Sequence, residues 1–203
     1  MPQRPTSSDT AVRQLVDRVA AATAAATNEA QLRHAIEIEL ERVCASLEIA
    51  WTPFQLDRTL RKGSKKVRFV DVAHGAVVIE YEAPASFRDR EGSQLAQAKA
   101  QAQEYALLLA EEEGQAPERY VLVVWDGANL AFGRRTTDGF LWERLATFDS
   151  LAAHRIIDAL RSDSIPLVHP LLLAQLAGPE SPHGSVLIPR LFQAIRVANA
   201  AKA

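Results

Sequence analysis

Lys66-Val67-Arg68-Phe69-Val70-Asp71-Val72-Ala73, then His74-Gly75, then Ala76-Val77-Val78-Ile79-Glu80-Tyr81-Glu82-Ala83-Pro84 is the stretch on which the reading of this chain turns. Two runs of β-branched and aromatic residues separated by a turn residue form the pattern of a β-hairpin. Three carboxylates, Asp71, Glu80 and Glu82, stand inside those runs. Asp and Glu are poor strand formers, and a carboxylate among valines loses solvation unless something meets its charge. A two-residue turn at His74-Gly75 sets Ala73 opposite Ala76 and Asp71 opposite Val78, diagonal to Glu80. Alternation then puts Asp71, Glu80 and Glu82 on one face, and Val70, Val72, Val77, Ile79 and Tyr81 on the other, core-facing side. This holds for an even loop; an odd one moves Asp71 to the face opposite Glu80.

Carboxylates gathered on one sheet face repel one another unless a cation lies between them. Oxygen-only ligation suits Mg²⁺ or Mn²⁺, and Mg²⁺ keeps coordination positions for water and phosphate oxygens, the arrangement of metal-assisted phosphodiester hydrolysis. Cations crowd the same stretch: Arg58, Arg61, Lys62, Lys65, Lys66 and Arg68 precede Asp71, and Arg88 and Arg90 follow Glu82. Flanking a metal site, they suit a phosphate backbone; alone, they suit a solvated loop around Gly63-Ser64.

Towards the C-terminus, Pro84 ends the pairing and residues 85–92 form a charged loop. A helix follows from Ser93 to Glu113, with Leu95, Ala98, Ala102, Tyr105, Ala106 and Leu109 as its inward stripe and Gln94, Gln97 and Gln101 along its edge. Gln101 and Tyr105 lie one turn apart on one side, either holding and buttressing a water or phosphate, or forming a solvated glutamine and a half-buried aromatic. The apolar run from Arg119 to Trp125 reads as a central strand covered on both faces, and Asp126-Gly127 as a turn. Leu130–Arg134 and Phe140–Leu145 form a hairpin, and Phe148–Arg161 a helix capped by Asp149 or Ser150, with Leu151, Ile156, Ile157 and Leu160 inward.

Towards the N-terminus, residues 1–9 have a disordered composition and a helix begins at Thr10. Asn28 caps a second helix whose stripe is Leu32, Ala35, Ile36, Leu40, Val43, Cys44 and Leu47. Cys44 on that stripe is a buried structural thiol, and His34 a surface residue. Trp51–Leu60 reads as the first strand.

The 203 residues suffice for one domain with a full core, and the net charge is −2, so phosphate binding rests on a local basic surface. No apolar run reaches the 18 or so residues that span a membrane, no leader pattern opens the chain, and one cysteine excludes an internal disulfide framework. A cytoplasmic protein is the expectation. There is no Gly-rich phosphate loop, Gly-x-Ser-x-Gly elbow or His-Glu-x-x-His motif, and His74, in the turn, reads as exposed.

A strand ending in Asp71, an apolar strand carrying Glu80-x-Glu82, and a helix with Gln101-x-x-x-Tyr105 resemble the PD-(D/E)XK nuclease superfamily. More closely, Val78 to Pro84, with Gln101–Tyr105, Tyr120–Trp125 and Asp126-Gly127, is similar to the N-terminal endonuclease domain of restriction-modification enzymes that continue into an adenine-N6 DNA methyltransferase. The likeness extends weakly to the run from Pro166 to Ile195.

The resemblance implies a restriction-endonuclease-like α/β fold over residues 10–163, after a tail at 1–9 and before a helical appendage or linker start at 164–203. It implies Mg²⁺- or Mn²⁺-dependent DNA cleavage in restriction or phage defence, with Asp71 and Glu80 as metal ligands, Glu82 as ligand or general base, and Gln101 positioning water or phosphate. Tyr105 is an accessory residue, as is Glu37, the candidate among Glu37, Glu39 and Glu41 for the glutamate that an early helix sends to the metal, against a solvated-face reading. Lys62, Lys65, Lys66, Arg68 and Arg88 would meet the DNA backbone. A methyltransferase domain or subunit and a homodimer are the implied partners, with no membrane. Glu82 stands where the family's lysine stands; Lys66 and Lys99 are the candidates for the displaced cation, and a non-catalytic DNA-binding or assembly module is the alternative.

Overall fold

In the computed structural model, residues 7–51, 59–62, 65–69, 72–88 and 92–164 are described. Contacts divide the chain into two units, Met1–Ser164 and Ile165–Ala203; the expected appendage lies, from residue 165, outside the described residues. The described elements are α1 (Ser7–Ala25), α2 (Glu29–Ser46), β1 (Thr59–Lys62), β2 (Lys65–Phe69), β3 (Val72–His74), β4 (Val77–Tyr81), α3 (Ser93–Glu113), β5 (Val121–Trp125), β6 (Asn129–Thr136), β7 (Gly139–Trp142), β8 (Ala146–Thr147) and α4 (Ser150–Ser164).

The fold is mixed α/β. A six-stranded sheet runs in the order β3-β4-β5-β6-β7, with β8 also on β6, while β1 and β2 form a separate two-stranded ribbon. Only β4 and β5 are parallel; the other pairs are antiparallel. Parallel neighbours need a crossover, and α3 supplies it. The helix starts after Gly92 and stops at Gly114, whose φ of 62° is a left-handed cap.

The hairpin register differs by a step from the expected one. Val72 pairs with Ile79, Ala73 with Val78 and His74 with Val77, so the two-residue turn is Gly75-Ala76. The turn moves because Gly75, at φ 56°, takes its first position, where a left-handed backbone suits glycine. The loop length stays even, and among the described residues the division of faces survives the shift. One buried cluster joins Val72, Val77, Ile79, Tyr81, Val123 and Trp125 to α1, α2 and α4. The opposite face is buried as well: Val78, Leu122 and Val124 pack with Leu95, Ala98 and Tyr105 of α3. The carboxylate face of the hairpin is thus roofed by a helix.

Other departures are local. Helix α1 begins at Ser7, ahead of the expected Thr10 and inside the segment read as a tail. Of the expected first strand at 51–60, Thr59 and Leu60 belong to β1, which pairs with β2, Trp51 lies outside any strand, and residues 52–58 lie outside the described residues. In α4 the Asp149 Oδ1 accepts from the Ala152 N–H at 2.9 Å, which makes Asp149 the cap. Leu151, expected inward, is 68% exposed, because the helix starting at Ser150 turns that position outward. Asn28 caps α2 as expected, accepting from the Gln31 N–H at 2.9 Å.

Candidate functional site

The site follows from the parallel pair. In open α/β sheets, ligands bind beyond the carboxyl ends of the strands, at the point where the strand connections diverge. Strand β4 is such a place, antiparallel to β3 on one side and parallel to β5 on the other. Glu80, at its carboxyl end, registers with Val124 of β5 and is only 4% exposed. Alternation with Val78 places it on the face under α3. Glu82 follows the strand, part-buried, its N–H donating to the Trp125 carbonyl at 2.9 Å. Its Oε2 accepts from Gln94 Nε2, on the first turn of α3, at 3.3 Å. Gln94 carries no mark in the sequence beyond its place in a Gln-rich edge.

The helix contributes unequally. Tyr105 is buried among Val78, Leu122 and Val124, and Gln101 is part-buried one turn before it. Arg88 is exposed in the turn after Glu82. Asp71 lies outside the described residues. Lys62, Lys65, Lys66 and Arg68 belong to the β1–β2 ribbon, where the backbone pairs Lys62 with Lys65, Arg61 with Lys66 and Leu60 with Arg68; their side chains lie outside the described residues. Among the described residues, no three of His, Cys, Asp and Glu gather into a metal-binding group.

Glu37 does not join Glu80. It packs on the other face of the sheet, 4% exposed, where Tyr81 Oη donates to its Oε1 at 2.7 Å and His74 Nε2 lies 2.8 Å from its Oε2. His74 is 2% exposed and stacked on Trp51 at 4.2 Å between ring centroids, where an exposed turn residue was expected. Once the turn begins at Gly75, His74 becomes the last strand residue and points inward. Lys99 does not supply the displaced cation either: its Nζ sits 5.4 Å from the centroid of Trp142, on β7, three strands from β4. Burial lowers the Lys99 pKa from its ordinary value.

Asp126, fully buried at the carboxyl end of β5, is occupied by turn chemistry as expected: Oδ1 accepts from the Ala128 and Asn129 N–H groups at 3.1 and 2.7 Å. Its Oδ2 also accepts from the Phe87 N–H at 2.9 Å, which ties the loop after Glu82 to the sheet. A separate cleft of about 280 Å³, lined by Val121, Phe132, Arg134, Leu141, Glu143 and Arg155, lies on the far side of β6. Comparison of the chain with protein-family models, with curated proteins and with solved structures finds no match. No helix among the described residues is long and apolar enough to cross a membrane.

Proposed function

We propose that the protein is a divalent-metal-dependent DNA endonuclease of restriction-endonuclease type, acting in restriction-modification or phage defence. The observation that supports it is the placement of a nearly buried Glu80, with Glu82 beside it, at the carboxyl end of a parallel strand pair and against the first turns of α3. Two glutamate carboxylates are hard oxygen donors, and Mg²⁺ is commonly held by one or two carboxylates with the rest of its shell left to water and phosphate. The residues therefore fit Mg²⁺ or Mn²⁺, with Glu80 as ligand and Asp71 as the further donor the sequence motif assigns. A bound ion of this kind supplies polarisation of the phosphoryl oxygen and acidification of water. Glu82, whose Oε2 accepts from Gln94 on the first turn of α3, would act as ligand or as general base. Gln101 then positions water or phosphate, and the cations of the β1–β2 ribbon, with Arg88, neutralise the backbone.

A second reading has its own observation. Lys99 is engaged with Trp142, and Glu82 stands where the family's lysine stands, which favours a non-catalytic module that binds DNA or assembles with a modification enzyme. Supercoiled plasmid incubated with Mg²⁺ or Mn²⁺, with and without chelator, separates the two. The nuclease reading expects metal-dependent nicking that Glu80→Ala lowers by 100-fold or more. Intact plasmid in every lane, from folded protein and on differently methylated DNA, would favour the module.

A further inference from the structure

Strand β7 ends the sheet order, so among the described residues its outer side is an open edge. The Glu143 N–H donates to the Phe132 carbonyl at 2.8 Å, in step with the Gly133–Trp142 and Arg134–Leu141 pairs. Because antiparallel hydrogen bonds alternate along a strand, Gly139, Leu141 and Glu143 turn their backbone groups to β6, and Phe140 and Trp142 turn theirs outward. Such an edge is a template for another strand, and folded proteins usually blunt it with lysine, proline, a bulge or an inward-pointing charge. Gly139-Phe140-Leu141-Trp142 carries none of these. Leu141, at its centre, is 53% exposed and lines the cleft shared with Arg155. On the same side of the sheet, α4 presents a second exposed leucine, Leu151, one turn before the Arg155 that binds Glu143.

The sequence of this edge is complementary to itself. About a two-fold axis, the outward backbone groups of two copies can meet in three antiparallel registers: Phe140 on Phe140, Phe140 on Trp142, or Trp142 on Trp142. The first sets Asp138 against an indole, and the third sets Glu143 against a leucine and Arg144 against a phenylalanine, so each opposes a charge to an apolar side chain. The second avoids this. It pairs Phe140 with the partner's Trp142 on both sides of the axis, with Leu141 opposite the partner's Leu141 between them. Glu143 then lies opposite the partner's Gly139, and the exposed Asp138 and Arg144 come level with the partner's Arg144 and the partner's Asp138. Aromatic pairs and opposite charges across strands both stabilise an antiparallel pair. We propose that two copies of this chain associate edge to edge through β7 in that register, joining their sheets into one. Two short strands are a small patch by the standard of specific complexes, so the dimer is weak and concentration-dependent. The inference stands apart from the nuclease reading.

Sedimentation of the full chain across the micromolar range should show a monomer–dimer equilibrium, and amide exchange at Phe140 and Trp142 should slow as the protein concentration rises. Leu141→Lys, which puts a charge at the axis against its own copy, should raise the dissociation constant about tenfold or more. Asp138→Arg and Arg144→Asp each bring like charges together at both ends and should each weaken self-association. An equimolar mixture of these two variants restores opposite charges at both ends and should dimerise again. A chain that stays monomeric at every concentration overturns the proposal, as does a dimer in which the Phe140 and Trp142 amides exchange as fast as in the monomer. A dimer that Leu141→Lys leaves intact, or a mixture that dimerises no better than its components, overturns it as well. Should a charge variant fold poorly in thermal melts, amide exchange in the natural protein and Leu141→Lys still decide. Plasmid nicking is read separately, so the failure of either reading leaves the other standing.

Discussion

Glu37 uses both carboxylate oxygens inside the protein, on Tyr81 and on His74, with all three side chains at most 4% exposed. Removing one member of such a group leaves the others buried without a partner, which costs more than the net worth of the bond. Glu37→Ala should therefore lower the stability by about 3 kcal/mol, whereas Tyr81→Phe, which removes one hydroxyl, should cost about 1–2 kcal/mol. Urea denaturation of the single and double variants checks both, and a coupling energy near zero would mean that the three residues do not act as a unit. Cys44 lies in the same core. Burial, and next the nearby Glu37 carboxylate, push its thiol up to about 11. An unfolded chain ionises the thiol near pH 8.5–9, so the folded form loses relative stability as the pH rises from there through about 11, and nothing from this group below it. The difference in unfolding free energy between the natural protein and Cys44→Ala should shrink across that window. At pH 7.5 the native thiol should resist a disulfide reagent that labels it at once in denaturant.

At the scale of elements, β6 and β7 depend on a residue that is absent as a side chain. Gly133 faces Trp142 across the pair, and the ring occupies the volume a methyl group would need. Gly133→Ala should cost about 1–3 kcal/mol by displacing the indole, and Gly133→Ala/Trp142→Leu should recover part of that loss in thermal melts. On the far side of the same hairpin, Arg155 of α4 makes two hydrogen bonds to Glu143, at 2.6 and 2.7 Å, and lies 4.0 Å from the Phe132 ring centroid. The Arg155 hydrogen bonds hold the Glu143 carboxyl below its ordinary value. A carboxylate depressed by folding stabilises above its unfolded pKa, about 4.3, and that contribution is lost as the pH falls through the folded value. Both groups are largely exposed, so Arg155→Gln should cost no more than about 1 kcal/mol at pH 7 and less at pH 3.

The unit Met1–Ser164 is organised around a sheet, and among the described residues its two buried hydrophobic clusters lie between Val12 and Leu160. A fragment ending at Ser164 contains both clusters and should melt cooperatively, with the same tryptophan emission as the full chain. A fragment that fails to melt cooperatively would show that residues 165–203 are needed for the fold.

Much of this architecture is legible in the residues themselves. Helix α3 and its stripe, the Asn28 cap, the buried central strand and the Asp126-Gly127 turn all follow from periodicities of two or 3.6 residues and from cap and turn chemistry, which act over a few positions. The odd/even division of β4 is equally local, and so the placing of Glu80 opposite Tyr81 was determined by the sequence alone. The partners of those side chains were not. His74 read as a turn residue until a glycine one position later took the bend and a glutamate 37 residues earlier came to meet it. Lys99, on the helix beside the carboxylates, turned to a tryptophan on the far edge of the sheet. Such pairings depend on which distant elements pack together, and a buried charge or ring takes whatever partner that packing brings within reach; only the tertiary structure holds that information.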